Sequence, residues 1–323
     1  MAELSPGLIE LANFLVPASI FALLALGLNI QWGHTGLFNG GVAAFWAIGA
    51  YTAAILMTPP APMTGQYPGH LGGFQQSFWF AALAAMSLSA LVGFVIAVPI
   101  LRLRADYFAI ATLALAEIIR LLIANAESLT AGTIGIILIP RPFESFAQGT
   151  RGLSDLTMAL LAVSLLLLTL ALLEFVTRAP WGRVLRGIRE DEEATLALGK
   201  NVYRFRLQAF VLGCGVMGLS GAVFASYQGF IAPDSFDPLA TFAIYVMVIL
   251  GGSGNNRGVL FGAFLFYSFD WVSTRLDDDL PSGIAEKVPA IRLMIIGALL
   301  VILVLYRPEG VFKERKRIYT PVK

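Results

Sequence analysis

The sequence predicts an all-α integral membrane protein: a polytopic helical bundle of about nine transmembrane helices, with a range of eight to ten, some of them short, broken or re-entrant. Three observations predict it. The 323 residues are 57% hydrophobic and only 13% charged, where a soluble domain has about 25% charged residues, and the mean hydropathy is +0.77. Apolar runs near the roughly 20 residues needed to cross a bilayer recur along the chain. Basic residues gather in a few places between those runs, so that charge location rather than the net charge of +1 carries the topology. This composition implies no nucleic-acid partner. Cys214 is the only cysteine, and His34 and His70 the only histidines, which leaves neither a disulfide within the chain nor a Cys/His metal cluster. The amino end, Met1 to Pro6, has no Lys or Arg, so the first apolar run is expected to be retained rather than cleaved.

The first span is expected at 12–31, with Pro17 in its opening turns, where proline costs least. The second, 36–57, is interrupted by Gly36, Asn39, Gly40, Gly41 and Gly49. Such interruptions either break a helix where substrate passes or allow two helices to approach closely. Residues 58–77, with Pro59, Pro60, Pro62, Pro68 and no charge, read as an outer loop. A third span at 78–100 ends at Pro99 and is followed by Arg102 and Arg104, which point to the cytoplasm. The fourth, 106–125, carries Glu117 and Arg120 on one helix face, as an ion pair for packing or as charges beside a substrate route. The loop 126–154 contains SLTAGTIGI, whose Thr130, Thr133 and glycine amides suit a carboxylate or a simple turn.

The fifth span, 156–177, is the most lipid-like. The sixth, 207–230, repeats Cys214, Gly218, Ala222 and Ser226 every fourth residue, a small-residue stripe for helix packing. Segments 239–251 and 258–275 flank GGSGNNRG, expected as two half-helices or a tilted span around a turn near the cytoplasmic side. Asp277, Asp278 and Asp279 read as a solvated outer loop before a last span at 290–306. The basic tail is expected inside. Nine crossings place the amino end outside and put 101–105, 178–206 and the tail together in the cytoplasm.

Residues 178–206 are a charged island holding 7 of the 22 Lys and Arg residues. Glu190, Asp191, Glu192 and Glu193 are expected to open a helix of two or three turns that stops at Gly199 and Lys200, in keeping with capping and the macrodipole. Glu193, Ala194 and Gly199 fall at the first, second and seventh places of an E-A-A-x-x-x-G signature, with Thr195 in place of its third Ala. That signature resembles the ATPase-docking helix of ABC importer permeases. With the blocks GLFNGGVAAFWAIGAYTAAIL, DYFAIATLALAEIIRLL, SLTAGTIGI and GGSGNNRGVLFGAF, the chain resembles the branched-chain amino-acid permeases of the LivM type.

The resemblance implies one permease domain over 1–323 with a coupling loop at 178–206, in the bacterial inner membrane. It implies a second, LivH-like permease, two ATP-binding subunits (LivG/LivF-like) and a periplasmic substrate-binding protein, with leucine, isoleucine or valine as cargo. Arg189, Glu190, Asp191, Glu193, Ala194 and Gly199 are then the ATPase-coupling residues. Asn39, Gly40, Glu117, Thr130 and Thr133 are expected along the substrate path, with Ala43, Ala44 and Phe45 suited to an aliphatic group. The chain is expected to bind no cofactor itself: G-x-x-x-x-G-K-[ST], G-x-S-x-G and H-E-x-x-H are absent, and ATP and magnesium belong to the partner subunits. The alternatives are a urea or short-amide permease of the same family, an ion-coupled secondary transporter using Glu117 and Asp270, and a structural membrane scaffold.

Overall fold

The computed structural model describes residues 5–59, 69–143 and 152–278, with short stretches between 294 and 312. Helices dominate the described residues, where the only β pairing is an isolated antiparallel bridge between Ile136 and Ile231. The fold is all-α and polytopic. Among the described residues, five stretches are long and apolar enough to cross a membrane. They are Pro6–Gly33 (α1, Pro6–Leu28, continued by a π-helical turn, Asn29–Gly33), α3 (Phe78–Ile100), α4 (Ala105–Asn125), α6 (Leu153–Arg178) and α9 (Val202–Gln228). Two shorter apolar helices join them, α2 (Val42–Met57) and α10 (Leu239–Gly251). The remaining helices are α5 (Glu127–Thr130), α7 (Pro180–Glu190), α8 (Glu192–Ala197) and α11 (Asn256–Asp278).

Helix α9 lies at the centre, packed on α3, α2 and α1, and α1 in turn meets α6 and α11. Lipid tails give apolar helices little reason to associate, so close backbone approach holds such bundles together. The small residues of α9 supply it. A Cβ added at Gly218 would lie 2.5 Å from Ser89 Cβ, and one at Gly49 would lie 2.2 Å from the Gly218 carbonyl. Cys214, Ala222 and Ser226 are fully buried on the same helix. The Ser89 hydroxyl donates to the Phe45 carbonyl at 3.0 Å and that of Ser220 to the Ile20 carbonyl at 2.8 Å, so neither is left unpaired in the core. Helices α10 and α11 form a hairpin with equally close glycines, Gly251 against Gly258 and Gly262 against Met247.

The bundle has two distinct ends. One gathers 69–77, 127–139 and 229–238, where the Leu71 amide donates to Leu129 and that of Ile139 to Gly229. The other gathers 29–41, 101–104, 178–206 and the Gly252–Gly258 turn, where Tyr203 donates its hydroxyl proton to the Val98 carbonyl at 3.1 Å. Residues 310–312 also join this second end, with the Val311 amide bonded to the Leu250 carbonyl at 2.9 Å.

Several sequence expectations change. Pro17 is not in an opening turn: α1 starts at Pro6, which occupies the first helical turn and leaves Pro17 in the interior. The second span becomes a helix only at Val42, and 36–41 is non-helical. The four acids do not open a single helix. Glu190 ends α7, the extended backbone of Asp191 (φ −155°, ψ 106°) breaks the chain, and α8 starts at Glu192. The cause is Pro180, which starts a helix of its own that buries Gly182, Leu185 and Ile188 against the bundle. Of the acidic stretch, Asp277 and Asp278 close α11, while Asp279 lies outside the described residues. Most of the expected span 290–306, the prolines at 60, 62 and 68, and the tail beyond 312 also lie outside them.

Candidate functional site

Two neighbouring structures at the second end form the candidate site: the α7–α8 pair and a buried polar network beneath it. In α8 the Asp191 carboxylate accepts the Ala194 amide proton at 2.9 Å, a side-chain N-cap, and Glu192 and Glu193 occupy the first turn. Gly199 ends the motif at φ +75°, with its amide bonded to Leu196 and that of Lys200 to Thr195. Side-chain contacts hold the pair to the bundle, two of them to α9. Arg206 on α9 pairs with Glu192 at 2.9 Å, and the Trp181 indole donates to the Gln208 side chain at 2.9 Å. What remains outward is Glu193 and two leucines: Leu196 is 51% and Leu198 79% exposed.

Arg189 points the other way. Its guanidinium donates to the Gly33 carbonyl, and its side-chain stem lies 3.6 Å from where a Cβ of Gly36 would be. Gly33 belongs to the π turn that ends the first span, where Asn29 and Gln31 are fully buried. The Asn29 amide donates to Asn256 Oδ1 at 2.8 Å, while its own Oδ1 accepts the Gly254 amide at 2.9 Å. Asn256 then donates to the Thr177 hydroxyl at 3.3 Å, and Arg186 donates to the Thr177 carbonyl at 3.3 Å. On the other side, Gln31 Oε1 accepts from Asn39 at 2.7 Å, and Gln31 Nε2 donates to the Phe210 carbonyl at 2.9 Å. Asn39 Oδ1 accepts the Gly41 amide at 2.8 Å just ahead of α2, and its carbonyl accepts the Tyr245 hydroxyl at 3.1 Å.

His34 sits in the same cluster, its Nε2 3.3 Å from Asn256 Oδ1. Burial is the main reason its pKa falls to about 4; the Asn256 hydrogen bond opposes this, and the positive charges of Arg186 and Arg189 add to it. The imidazole is therefore neutral at physiological pH.

The residues expected along a substrate path are divided between the two ends. Asn39 is fully buried with both ends of its amide bonded. Gly40 and Gly41 press on α4: the Gly40 amide donates to Thr112 Oγ1 at 2.9 Å, and a Cβ on Gly41 would lie 2.7 Å from the Thr112 carbonyl. Glu117 is more than a turn further along α4, paired with Arg120 at 2.6 Å, and Arg120 also reaches Asp234 at 3.3 Å. Thr130 and Thr133 lie at the far end, where the Thr130 hydroxyl is bonded to the Ile123 and Ala126 carbonyls and Thr133 is exposed. Sequence reasoning missed Asn29, Gln31 and Asn256. Polar residues inside or beside an apolar run were the available signal.

Comparison with known proteins identifies a family. The family model described as branched-chain amino acid transport system / permease component matches residues 10–304. The chain is 33% identical over 326 residues to the LivM permease of Salmonella typhimurium, covering 95% of this chain and 70% of that protein, and the LivM permease of Escherichia coli K12 gives the same figures. It is 24% identical over 320 residues to LivH of Escherichia coli K12, covering 94% of each. No solved structure matches the chain. With nearly its whole length matched, the chain belongs to the branched-chain amino acid transport permease family.

Proposed function

We propose that the chain is one permease half of an ATP-binding-cassette importer that carries leucine, isoleucine and valine across the inner membrane. Residues 1–323 form its permease domain, and 178–206 its coupling loop. The observation that carries this reading is the α7–α8 pair, fixed to the bundle by Arg189 and Arg206 yet ending in the exposed Leu196 and Leu198 beside Glu193. Apolar side chains on a short, charged, well-capped projection are suited to burial in a partner's cleft. The partner is an ATP-binding subunit, one of two (LivG/LivF-like), which holds the ATP and magnesium; this chain binds no cofactor and is not itself an enzyme. A LivH-like second permease and a periplasmic binding protein complete the transporter. The Arg189 end is cytoplasmic, because Arg102, Arg104 and the basic residues of 178–206 collect there. The amino end is then outside and the carboxyl end inside.

The substrate route is assigned to the seam between 36–41 and α4, where Asn39 and Gly40 meet Thr112. The Glu117–Arg120–Asp234 cluster lies toward the outer end of that seam, with Thr130 and Thr133 beyond it.

Co-purification tests the docking assignment. Replacing Leu196 and Leu198 together by Asp, with all subunits co-expressed, should remove the ATP-binding subunits from the purified complex while the permease pair persists. Full retention of those subunits would refute the assignment.

A further inference from the structure

We infer that Gln31, Asn29 and Asn256 are positioning residues that connect the α7–α8 pair to the 36–41 segment through the π turn at the end of α1. The inference rests on the reading of α7–α8 as the ATPase-docking element. Local geometry supplies the first argument. A π turn inside a helix widens it by one residue and is commonly retained at functional positions. Here the turn covers Asn29–Gly33 and is fitted so closely that a Cβ on Gly33 would fall 2.5 Å from the Gly254 amide and against the Asn29 side chain.

Connectivity supplies the second. Arg189 holds the last carbonyl of the turn, and Thr177, at the end of the helix leading into α7, is tied to the turn through Asn256 and Asn29. From the same turn Gln31 reaches Asn39, which accepts the amide of Gly41 ahead of α2. A shift of α7 therefore reaches the π turn at Gly33 and through Asn256 and Asn29, and Gln31 on the same turn holds Asn39 in the non-helical segment lying on α4.

The third argument is cost. Buried amides left unpaired are expensive, so an interior set of bonded amides resists piecemeal change. Asn29, Gln31 and Asn39 are fully buried and Asn256 nearly so, and each has a side-chain partner. Such a cluster has few arrangements, which is the property a two-state connection requires.

The experiment uses the full complex, with both permeases, the ATP-binding subunits and the binding protein, reconstituted in proteoliposomes with leucine as the probe. Gln31→Met and Asn256→Leu should each assemble and hydrolyse ATP at the basal rate. Stimulation of hydrolysis by leucine-loaded binding protein, and leucine taken up per ATP, should fall about tenfold, within the usual range of coupling between sites. Ser220→Ala, which breaks a buried hydrogen bond remote from this end, should keep both. Equal loss in Ser220→Ala would reduce the network to a structural role and overturn the inference, as would normal coupling in Gln31→Met. Should Gln31→Met fail to assemble, Arg189→Lys, altered at the α7 side, must show the same uncoupling, and normal coupling there overturns the inference. Retention of the ATP-binding subunits by the Leu196/Leu198 double variant is a separate result that defeats the docking reading instead.

Discussion

Single residues in different parts of the molecule answer to different physics. Gly199 adopts φ +75° with no atom near enough to touch an added Cβ, so its requirement is conformational alone. Gly199→Asn should be tolerated, whereas Gly199→Val should strain the turn by about 1–3 kcal/mol and weaken ATPase co-purification. Gly218 answers to space. Gly218→Leu should lower the stability of the detergent-solubilised complex by about 1–3 kcal/mol through overpacking against α3, while Cys214→Ser changes it much less; a thermal melt of each checks this. His34 gives a pH dependence. Its folded pKa of about 4 lies below the ordinary 6.5, so the unfolded chain takes up a proton that the folded chain refuses. The His34 contribution to stability is thus full above about pH 6.5 and is lost as the pH falls toward about 4. His34→Gln should flatten that part of the melting temperature against pH.

At the scale of the element, α4 carries the sharpest test of the substrate route. Its Glu117–Arg120 pair lies at the surface of this chain rather than in its core, with side chains 42% and 26% accessible, so its loss leaves the packed interior of the bundle untouched. Glu117→Gln should therefore leave assembly and ATP hydrolysis intact while uptake falls. Unchanged uptake in both Glu117→Gln and Asn39→Leu would remove the route from this seam. Elements also show what was legible. The long spans α3, α4, α6 and α9 stand where hydropathy places them, because a bilayer-length apolar run leaves the chain few alternatives. The glycines at 36, 40 and 41 fall in the non-helical approach to α2, which starts at Val42 rather than at 36. Helix α7 was not legible as an element, since its apolar stripe of Leu185 and Ile188 is diluted by three arginines on one short helix. The split between α7 and α8 at Asp191 was hidden for the same reason: four adjacent acids suit the start of one helix as well as the junction of two.

Over the whole molecule, what escaped the sequence was pairing at long range. Asn29 meets Asn256 across 227 positions and Gln31 meets Phe210 across 179, and neither local periodicity nor spacing carries such information. Each residue by itself is one polar side chain in or beside an apolar run. Only the packing of α1 against α9 and the Gly252–Gly258 turn reveals that these side chains share one interior. The chain is a permease whose proposed docking projection and proposed route are linked through the π turn and its buried polar contacts, and its proposed role as an importer subunit requires energy from outside the chain. That dependence is measured most directly by radiolabelled leucine uptake into proteoliposomes holding the complete complex, with binding protein outside. Uptake should require ATP trapped on the cytoplasmic face and should vanish without the ATP-binding subunits; uptake driven by an ion gradient in vesicles holding this chain alone, with no ATP, would contradict the account.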